Sequence, residues 1–399
     1  MTPLGNRHLA SSASRLTAGP PAPALAEARR PDFALRAVPA GAMADGAARH
    51  AWSALAACAS EPNPFLEDWY LLPALDALDP QGTVSLLRFE ADGELAGLLP
   101  VARAPRYFRW PLPHWAAWHH PNAFLGAPLV AAGLERPFWR ALLDWADSHT
   151  GKALFLHLPA LPLEGPLARA LGEVLRDQGR AAGLVQREER AMLASDLSPE
   201  DYLATSMTGK KRKELRRQQA RLSEQGVVAF HREEGLQGLD DWIAGFLALE
   251  AAGWKGKAGS AMASAAPTEA LFRAALAGGA ARGRLERLSL TLDGRPVAML
   301  ANFVTPPGVF SYKTAFDEDY ARFSPGVLLQ CENLKVLERP DIAWSDSCAA
   351  ADHPMIDRIW RERRAVGRLS IAIGGALRRA LFRLLLDAEL ARMTRKPAA

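Results

Sequence analysis

Two stretches far apart in the chain carry the same local pattern, and that echo limits the folds open to it. LLRFEADGELAGLLPVA (Leu86–Ala102) and RLSLTLDGRPVAMLANFV (Arg287–Val304) each read as an alternating strand, an Asp-Gly turn and a more apolar strand. Asp-Gly between two such runs predicts a tight hairpin, because a type I′ turn needs positive φ at both central residues. Asp92-Gly93 and Asp293-Gly294 then mark equivalent points of two similar halves. Helical spacing over Pro137–Ser148 and Glu164–Gln178 in one half, and over Leu239–Ala252 and Thr268–Arg282 in the other, surrounds the hairpins. Lone strands recur at KALFLHL and GVVAFH. Strands and helices mixed in this order predict an α+β sheet in each half.

At 399 residues the chain is long enough for two cored domains, and 49% hydrophobic with 23% charged is a globular composition. The net charge of +4 is mild, so the basic residues act locally rather than as a general field. One basic run is TGKKRKELRRQQARLSEQG, from Thr208 to Gly226; another cluster lies between Arg358 and Lys396. As a helix the first run puts Lys210, Arg217 and Arg221 on one side and Leu215 and Leu222 towards a core. A solvated face is the first reading, contact with lipid or cofactor phosphate the second and nucleic acid the last. TGKK is no phosphate loop, since the earlier glycine of that pattern is missing.

Cys58, Cys331 and Cys348 lie far apart and form neither a disulfide framework nor a metal-ligand spacing, which fits a reducing cytosol and no metal. No apolar run approaches the roughly 20 residues of a spanning helix. The expected organisation is a disordered leader over 1–35, an N-terminal domain over 36–191, a C-terminal catalytic domain over 192–369 and a basic amphipathic tail over 370–399.

In GVFSYKTAFDEDYARFSPGVLLQCENLKVL (Gly308–Leu337) a strand-like alternation passes into helical spacing. Between them Ser324 is placed as an N-cap, Pro325 suits the first helical position, and Gly326 allows close approach to the backbone. Such a helix start offers free N–H groups and the positive end of a dipole, either as an anion site or simply as a well-capped helix.

The order KKRKELRRQQARLSEQG, LEAAGWKGKAGSA, LDGRPVAMLANF, FSYKTAFDEDYARFSPGVLLQ and WSDS resembles the cellulose-biosynthesis-type acetyltransferases of the GNAT superfamily, relatives of the Fem peptidyltransferases. The similarity covers about Ser206 to Arg364. It implies tandem GNAT-like domains, each a mixed central sheet flanked by helices, and an acyl-CoA co-substrate with no permanently bound cofactor. By that resemblance Arg322, Ser324, Pro325, Gly326 and Val327 would cradle the pyrophosphate of coenzyme A, and the strand with Tyr312, Lys313 and Thr314 would supply backbone donors. The chain departs from the usual loop, in which Arg or Gln precedes two spaced glycines, because only Gly326 remains.

On the acceptor side His353 is the candidate base, its intrinsic pKa being about 6.5, and its alternative is to cap the helix expected after Pro354. Asp346 would orient the amine or the histidine, and Tyr312 and Tyr320 are candidate proton donors to a leaving thiolate. Glu250, Trp254 and Cys348 fall on the substrate side, with no activating pair visible for the thiol.

In the tail Ile373, Leu377, Leu381, Leu384 and Leu385 share one helical face and Arg379 and Arg383 lie opposite, a pattern for a bilayer interface or for docking on the protein. YFRWPLPHWAAWHHPNAF could line an acyl pocket or a core. His114, His119 and His120 there have no supporting carboxylate for a metal. The readings are, in order, transfer to a long-chain amine as in bacterial ceramide synthesis, acetylation of an amino sugar in exopolysaccharide or cellulose synthesis, Fem-like transfer from aminoacyl-tRNA, and a noncatalytic scaffold. A cytoplasmic protein touching the inner membrane through its tail fits the first.

Overall fold

The computed structural model describes residues 31–395, with side chains through 392. Most of the leader expected over 1–35 lies outside the described residues, and Phe33–Leu35 already belong to a strand. The first half runs β1 (Phe33–Pro39), α1 (Gly46–Cys58), α2 (Asp68–Leu78), β2 (Ser85–Ala91), β3 (Glu94–Ala104), β4 (His114–Ala117), β5 (Leu129–Val130), α3 (Glu135–Ser148), β6 (Phe155–Pro162), α4 (Pro166–Asp177) and β7 (Ala182–Leu193). Two helices follow, α5 (Pro199–Ser206) and the basic α6 (Gly209–Ser223). The second half runs β8 (Val228–Glu234), α7 (Leu239–Ala252), α8 (Trp254–Lys257), α9 (Ala266–Ala281), β9 (Leu285–Leu292), β10 (Arg295–Thr305), β11 (Gly308–Phe316), α10 (Pro325–Asn333), β12 (Trp344–Asp346), β13 (Glu362–Ala372) and α11 (Ala376–Arg395).

All strands join one 13-stranded sheet in the order β1-β2-β3-β4-β6-β13-β7-β12-β11-β10-β9-β8, with β5 paired to β3. Each half has four antiparallel strands, β1 to β4 or β8 to β11. A fifth lies parallel to the fourth, β6 on β4 and β12 on β11. The sixth comes from the other half: β13 pairs with β6, and β7 pairs with β12. The boundaries expected at 191/192 and 369/370 therefore do not divide the sheet. β7 follows the first half in sequence but completes the second, because β7 and β13 pair along ten positions, Glu362↔Met192 through Ile371↔Ala182, and lock the halves together.

The echo that organised the sequence is structural. Asp92 and Gly93 have φ of 51° and 86°, Asp293 and Gly294 of 49° and 78°, as a type I′ turn requires. Each aspartate also ties down the start of its half: Asp92 Oδ1 accepts from Asp32 N at 2.9 Å, and Asp293 Oδ1 from Val227 N at 2.8 Å.

The core crosses the seam. Phe65 of the first half packs edge-on against Phe310 at 5.8 Å, and Trp69 against Phe303 at 5.0 Å. Each such ring contributes roughly 1.5–3 kcal/mol from burial. Helices α2 and α9 meet at Gly278, where a Cβ would stand 2.9 Å from the carbonyl oxygen of Trp69, so the close approach needs glycine.

In α6, Leu222 is buried and Leu215 part-buried, while Lys210, Arg217 and Arg221 are exposed. Helix α11 docks on the protein, but not by the leucine face that the docking reading assigned to it. Phe382 and Leu386 are buried against Tyr107 and Phe155, Arg379 pairs with Asp147 at 2.7 Å, and Leu377, Leu381 and Leu384 point outward. Ile373 is buried at the start of the turn into the helix, not on its outer face. Asp147, which also holds Arg180 at 2.8 Å, draws Arg379 onto the protein, while Arg383 stays exposed.

Candidate active site

Where β11 leaves β12 the sheet opens. The two strands pair only over Gly308↔Trp344 to Phe310↔Asp346, whereas β11 continues to Phe316. Beyond Phe310 the backbone edge of β11 has no strand partner, so its outward N–H and C=O groups need other ligands. Tyr312 stands as an extra residue in β11: Asn302 pairs with Ser311 and Ala301 with Lys313. Such a bulge re-aims side chains and ends regular pairing.

A cavity of about 230 Å³ fills the opening. Tyr312, Lys313 and Thr314 line it from β11, Glu250 and Trp254 from the end of α7 and start of α8, and Cys348 and His353 from the segment after β12. These are seven of the residues singled out in sequence, brought together from β11, α7, α8 and the segment after β12. The amine of Lys313 donates to Asn122 Oδ1 at 2.8 Å and lies 5.2 Å from the ring of Phe124, both from the first half. Burial, with Lys255 beside it, pushes this ammonium down to about 8. Lys255 pairs with Glu250 at 2.8 Å and donates to the carbonyl of Thr314 at 3.1 Å, satisfying part of the open edge. Glu250 also accepts from Met262 N at 2.8 Å, which fixes the turn before α9.

The His353 ring lines the cavity with Nδ1 buried and unpartnered among the described residues. Burial holds its pKa below the usual histidine value, so it is neutral at pH 7 and able to accept a proton. Its carbonyl, not its ring, caps the turn after Pro354, accepting from Ile356 and Asp357; that segment is a run of turns rather than the expected helix. Tyr312 is buried, its hydroxyl 3.4 Å from that of Tyr70, and burial pushes its pKa up, so the phenol stays protonated. Burial pushes the Cys348 thiol far up as well, leaving no thiolate. Trp254 is exposed at the rim, its N–H on Glu318 at 2.6 Å.

Other sequence candidates stand back from the cavity. Asp346 is wholly buried, held by Arg190 at 2.6 Å and Arg364 at 3.0 Å, and accepts from Cys348 N at 2.9 Å. Its carboxylate anchors the loop that carries Cys348 and His353. Tyr320 packs beside Phe323, outside the cavity wall. Ser324, Pro325, Gly326 and Val327 start α10, and a Cβ on Gly326 would lie 2.8 Å from Met355 Sδ and 3.4 Å from Phe316, two residues of the wall. Ser324 occupies the cap position in the left-handed region, φ 53°, yet its hydroxyl makes no cap bond. Its carbonyl instead takes the N–H groups of Val327 and Leu328. Arg322 lies over the Phe323 ring at 4.7 Å, in the turn before α10.

Asn122 and Phe124 escaped the sequence reading as site residues, as did Lys255. The first two belong to a loop nearly two hundred residues from Lys313, and no local pattern joins them. Among the described residues no group of three or more His, Cys, Asp and Glu side chains could hold a metal ion.

Residues 209–353 match the model of an acetyltransferase (GNAT) domain, and no curated protein sequence matches the chain. Among solved structures, FemX is similar over 85% of this chain and 98% of its own, with TM-score 0.53 and 10% identity. A conserved protein of unknown function from Bacteroides thetaiotaomicron is similar over 82% and 97%, with TM-score 0.52 and 13% identity. The C-terminal domain of a lysylphosphatidylglycerol synthetase-like protein from Agrobacterium fabrum is similar over 86% and 94%, with TM-score 0.51 and 14% identity. At these identities the likeness is one of fold. The described chain is thus an α+β protein with a GNAT fold in its second half and the same strand topology repeated in its first, each a mixed sheet flanked by helices and each completed by a strand of the other.

Proposed function

We propose that the protein is an acyl-CoA-dependent N-acyltransferase that acts on a long-chain primary amine. The observation that carries this reading is the unpaired edge of β11 beside the part-buried amine of Lys313 in one cavity. A thioester carbonyl laid along that edge meets backbone N–H donors and a cation where negative charge develops. The amine nitrogen bonds to the carbonyl carbon and gives its proton to neutral His353; the C–S bond then breaks and coenzyme A leaves as the thiolate. Lys313 stabilises the oxyanion. The start of α10, with no acid in its first turn and Arg322 just before it, offers the pyrophosphate the N–H of Gly326 and the positive end of the helix dipole.

Two features support an amine with a hydrocarbon chain. An apolar cavity of about 590 Å³ lies under α11 among Trp110, Phe155 and Phe382. On the same helix Leu377, Leu381 and Leu384 form an outward stripe one turn apart, and Phe108 and Trp110 are exposed as well, which suits peripheral contact with a bilayer. No helix among the described residues is long and apolar enough to cross a membrane.

The exposed basic side of α6 favours a second reading, in which aminoacyl-tRNA is the donor. Incubating the purified protein with acetyl-CoA or palmitoyl-CoA and either sphinganine or glucosamine, and following thiol release with product mass, separates these. Amide formation on sphinganine supports the first reading. Product only with glucosamine moves the acceptor to sugars, and thiol release with neither acceptor overturns acyl-CoA transfer.

A further inference from the structure

A second cavity, of about 250 Å³, shares the wall of Phe124, Cys348 and Ala349 with the first. Its remaining lining comes mostly from the first half and is basic. The guanidinium of Arg368, part-buried on β13, makes no ion pair or hydrogen bond among the described residues. Arg190 is 6% exposed and binds Asp346 and the carbonyl of Phe124, but its Nε is buried without a partner. His119 Nε2 is likewise buried and unpartnered. Burial first, then Arg368 and Arg190, pushes the His119 ring down to about 4, so it is neutral and adds no charge of its own. The acid on the same face, Glu188, is exposed and takes its hydrogen bond from Gln186, not from Arg368.

The buried, unpartnered Nε of Arg190 is a donor that a bound anion would satisfy, and the unpaired, part-exposed guanidinium of Arg368 on the same cavity could add charge-assisted hydrogen bonds to it. Two residues along β13 from Arg368, Ser370 lines the apolar cavity under α11, and residues i and i+2 of a strand stand about 6.6 Å apart. The three cavities therefore follow one another: apolar under α11, basic at Arg368, reactive at Lys313.

We propose that the basic cavity is the acceptor site and that the acceptor carries an anionic group, a phosphate or a carboxylate, bound by Arg368 and Arg190. Its hydrocarbon part lies under α11 and its amine crosses the wall at Cys348 to reach the thioester. This rests on the acyltransfer reading above and narrows its acceptor from a simple amine to an anionic amphiphile.

The test is calorimetric titration of the full chain with dodecyl phosphate, sodium dodecanoate and dodecanol, each below its micelle concentration, alongside acetyl-CoA. Dodecyl phosphate or dodecanoate should bind tightly and lose about tenfold or more in affinity in Arg368→Gln, with partial recovery in Arg368→Lys. Dodecanol should bind weakly and equally to all three. Leu386→Trp, which fills the apolar cavity, should weaken both anionic probes while the melting temperature reports that the fold persists. Acetyl-CoA should bind wild type and Arg368→Gln alike. Anionic probes that bind no better than dodecanol, or that ignore Arg368→Gln, overturn the proposal. Anion binding that depends on Arg368, in a protein that ignores acetyl-CoA, keeps the site and removes the acyl-CoA reading.

Discussion

The two halves share a topology and differ at the one place where a cleft can form. In the second half β11 runs past its contact with β12, and a cavity stands in the gap. In the first half β4 ends at Ala117 and the following loop fills the equivalent space. That loop docks where Gly126 N bonds to Ala160 O at 2.9 Å, and a Cβ at Gly126 would sit on the carbonyl oxygen of Pro159. Helix starts differ in the same sense. α3 has Glu135 in its first turn, and that carboxylate accepts from Gly133 N at 3.1 Å. α10 has no acid there. One helix start carries its own negative charge in the first turn and the other carries none. The loop that closes the first cleft is not idle, for its Asn122 and Phe124 roof the second over Lys313. After a duplication, one copy can give up its site and become a wall of its partner's.

The largest effect expected from breaking this asymmetry is at Lys313. Lys313→Met should cut turnover by about a hundredfold or more, the worth of a lost oxyanion donor, whereas Glu135→Gln in the closed half should leave it unchanged. Initial rates on the same acceptor check both. Next is the seam itself. Asp346→Asn leaves Arg190 buried without its counter-ion and should cost about 3–5 kcal/mol in denaturant unfolding.

The pH dependence sharpens the assignment of charge. His353 must be neutral and Lys313 charged, so the rate should climb as pH rises through the lowered histidine pKa and fall above about 8. Lys313→Arg, which stays charged, should remove the alkaline fall if it retains activity. Stability runs the other way. The folded pKa of Lys313 lies below its unfolded value of about 10.4, so between about 8 and 10.4 the unfolded chain binds more protons and stability rises with pH. Below 8 the full penalty applies, and Lys313→Met should gain roughly 1–3 kcal/mol at pH 7, less what the bond to Asn122 supplied. A variant both inactive and more stable would mark Lys313 as a functional residue held against stability. The smallest effect tests the symmetry: Asp92→Ala and Asp293→Ala should each cost about 1 kcal/mol, equal within a few tenths, because each loses the same backbone clamp.

The hairpins were legible because Asp-Gly chemistry is local: two residues fix the turn, and the flanking alternation fixes the strands. The start of α10 was legible for the same reason. The exchange of β7 and β13 was not, since which edge a strand joins is decided by the opposing half. Lys313 was visible as part of a strand supplying backbone donors, not for its amine. Strict alternation would give adjacent Tyr312 and Lys313 opposite faces, but the cavity runs along the open edge of β11, so consecutive residues line it, and neither that edge nor the bulge at Tyr312 has a signature in YKTAF. The outward turn of Leu377, Leu381 and Leu384 was hidden because the partners that dock the helix, Asp147 for Arg379 and Phe155 for Phe382, lie more than two hundred residues earlier.

The most direct measurement is calorimetric titration with acetyl-CoA and palmitoyl-CoA of wild type, Val327→Glu and Glu135→Gln. Val327→Glu gives the open helix start the kind of acid that the closed one already has. One site per chain, weakened about tenfold or more in Val327→Glu and unchanged in Glu135→Gln, is the predicted result. Binding that survives Val327→Glu, a second site in either protein, or no binding at all would contradict the claim that one half kept the donor cleft and the other gave it up.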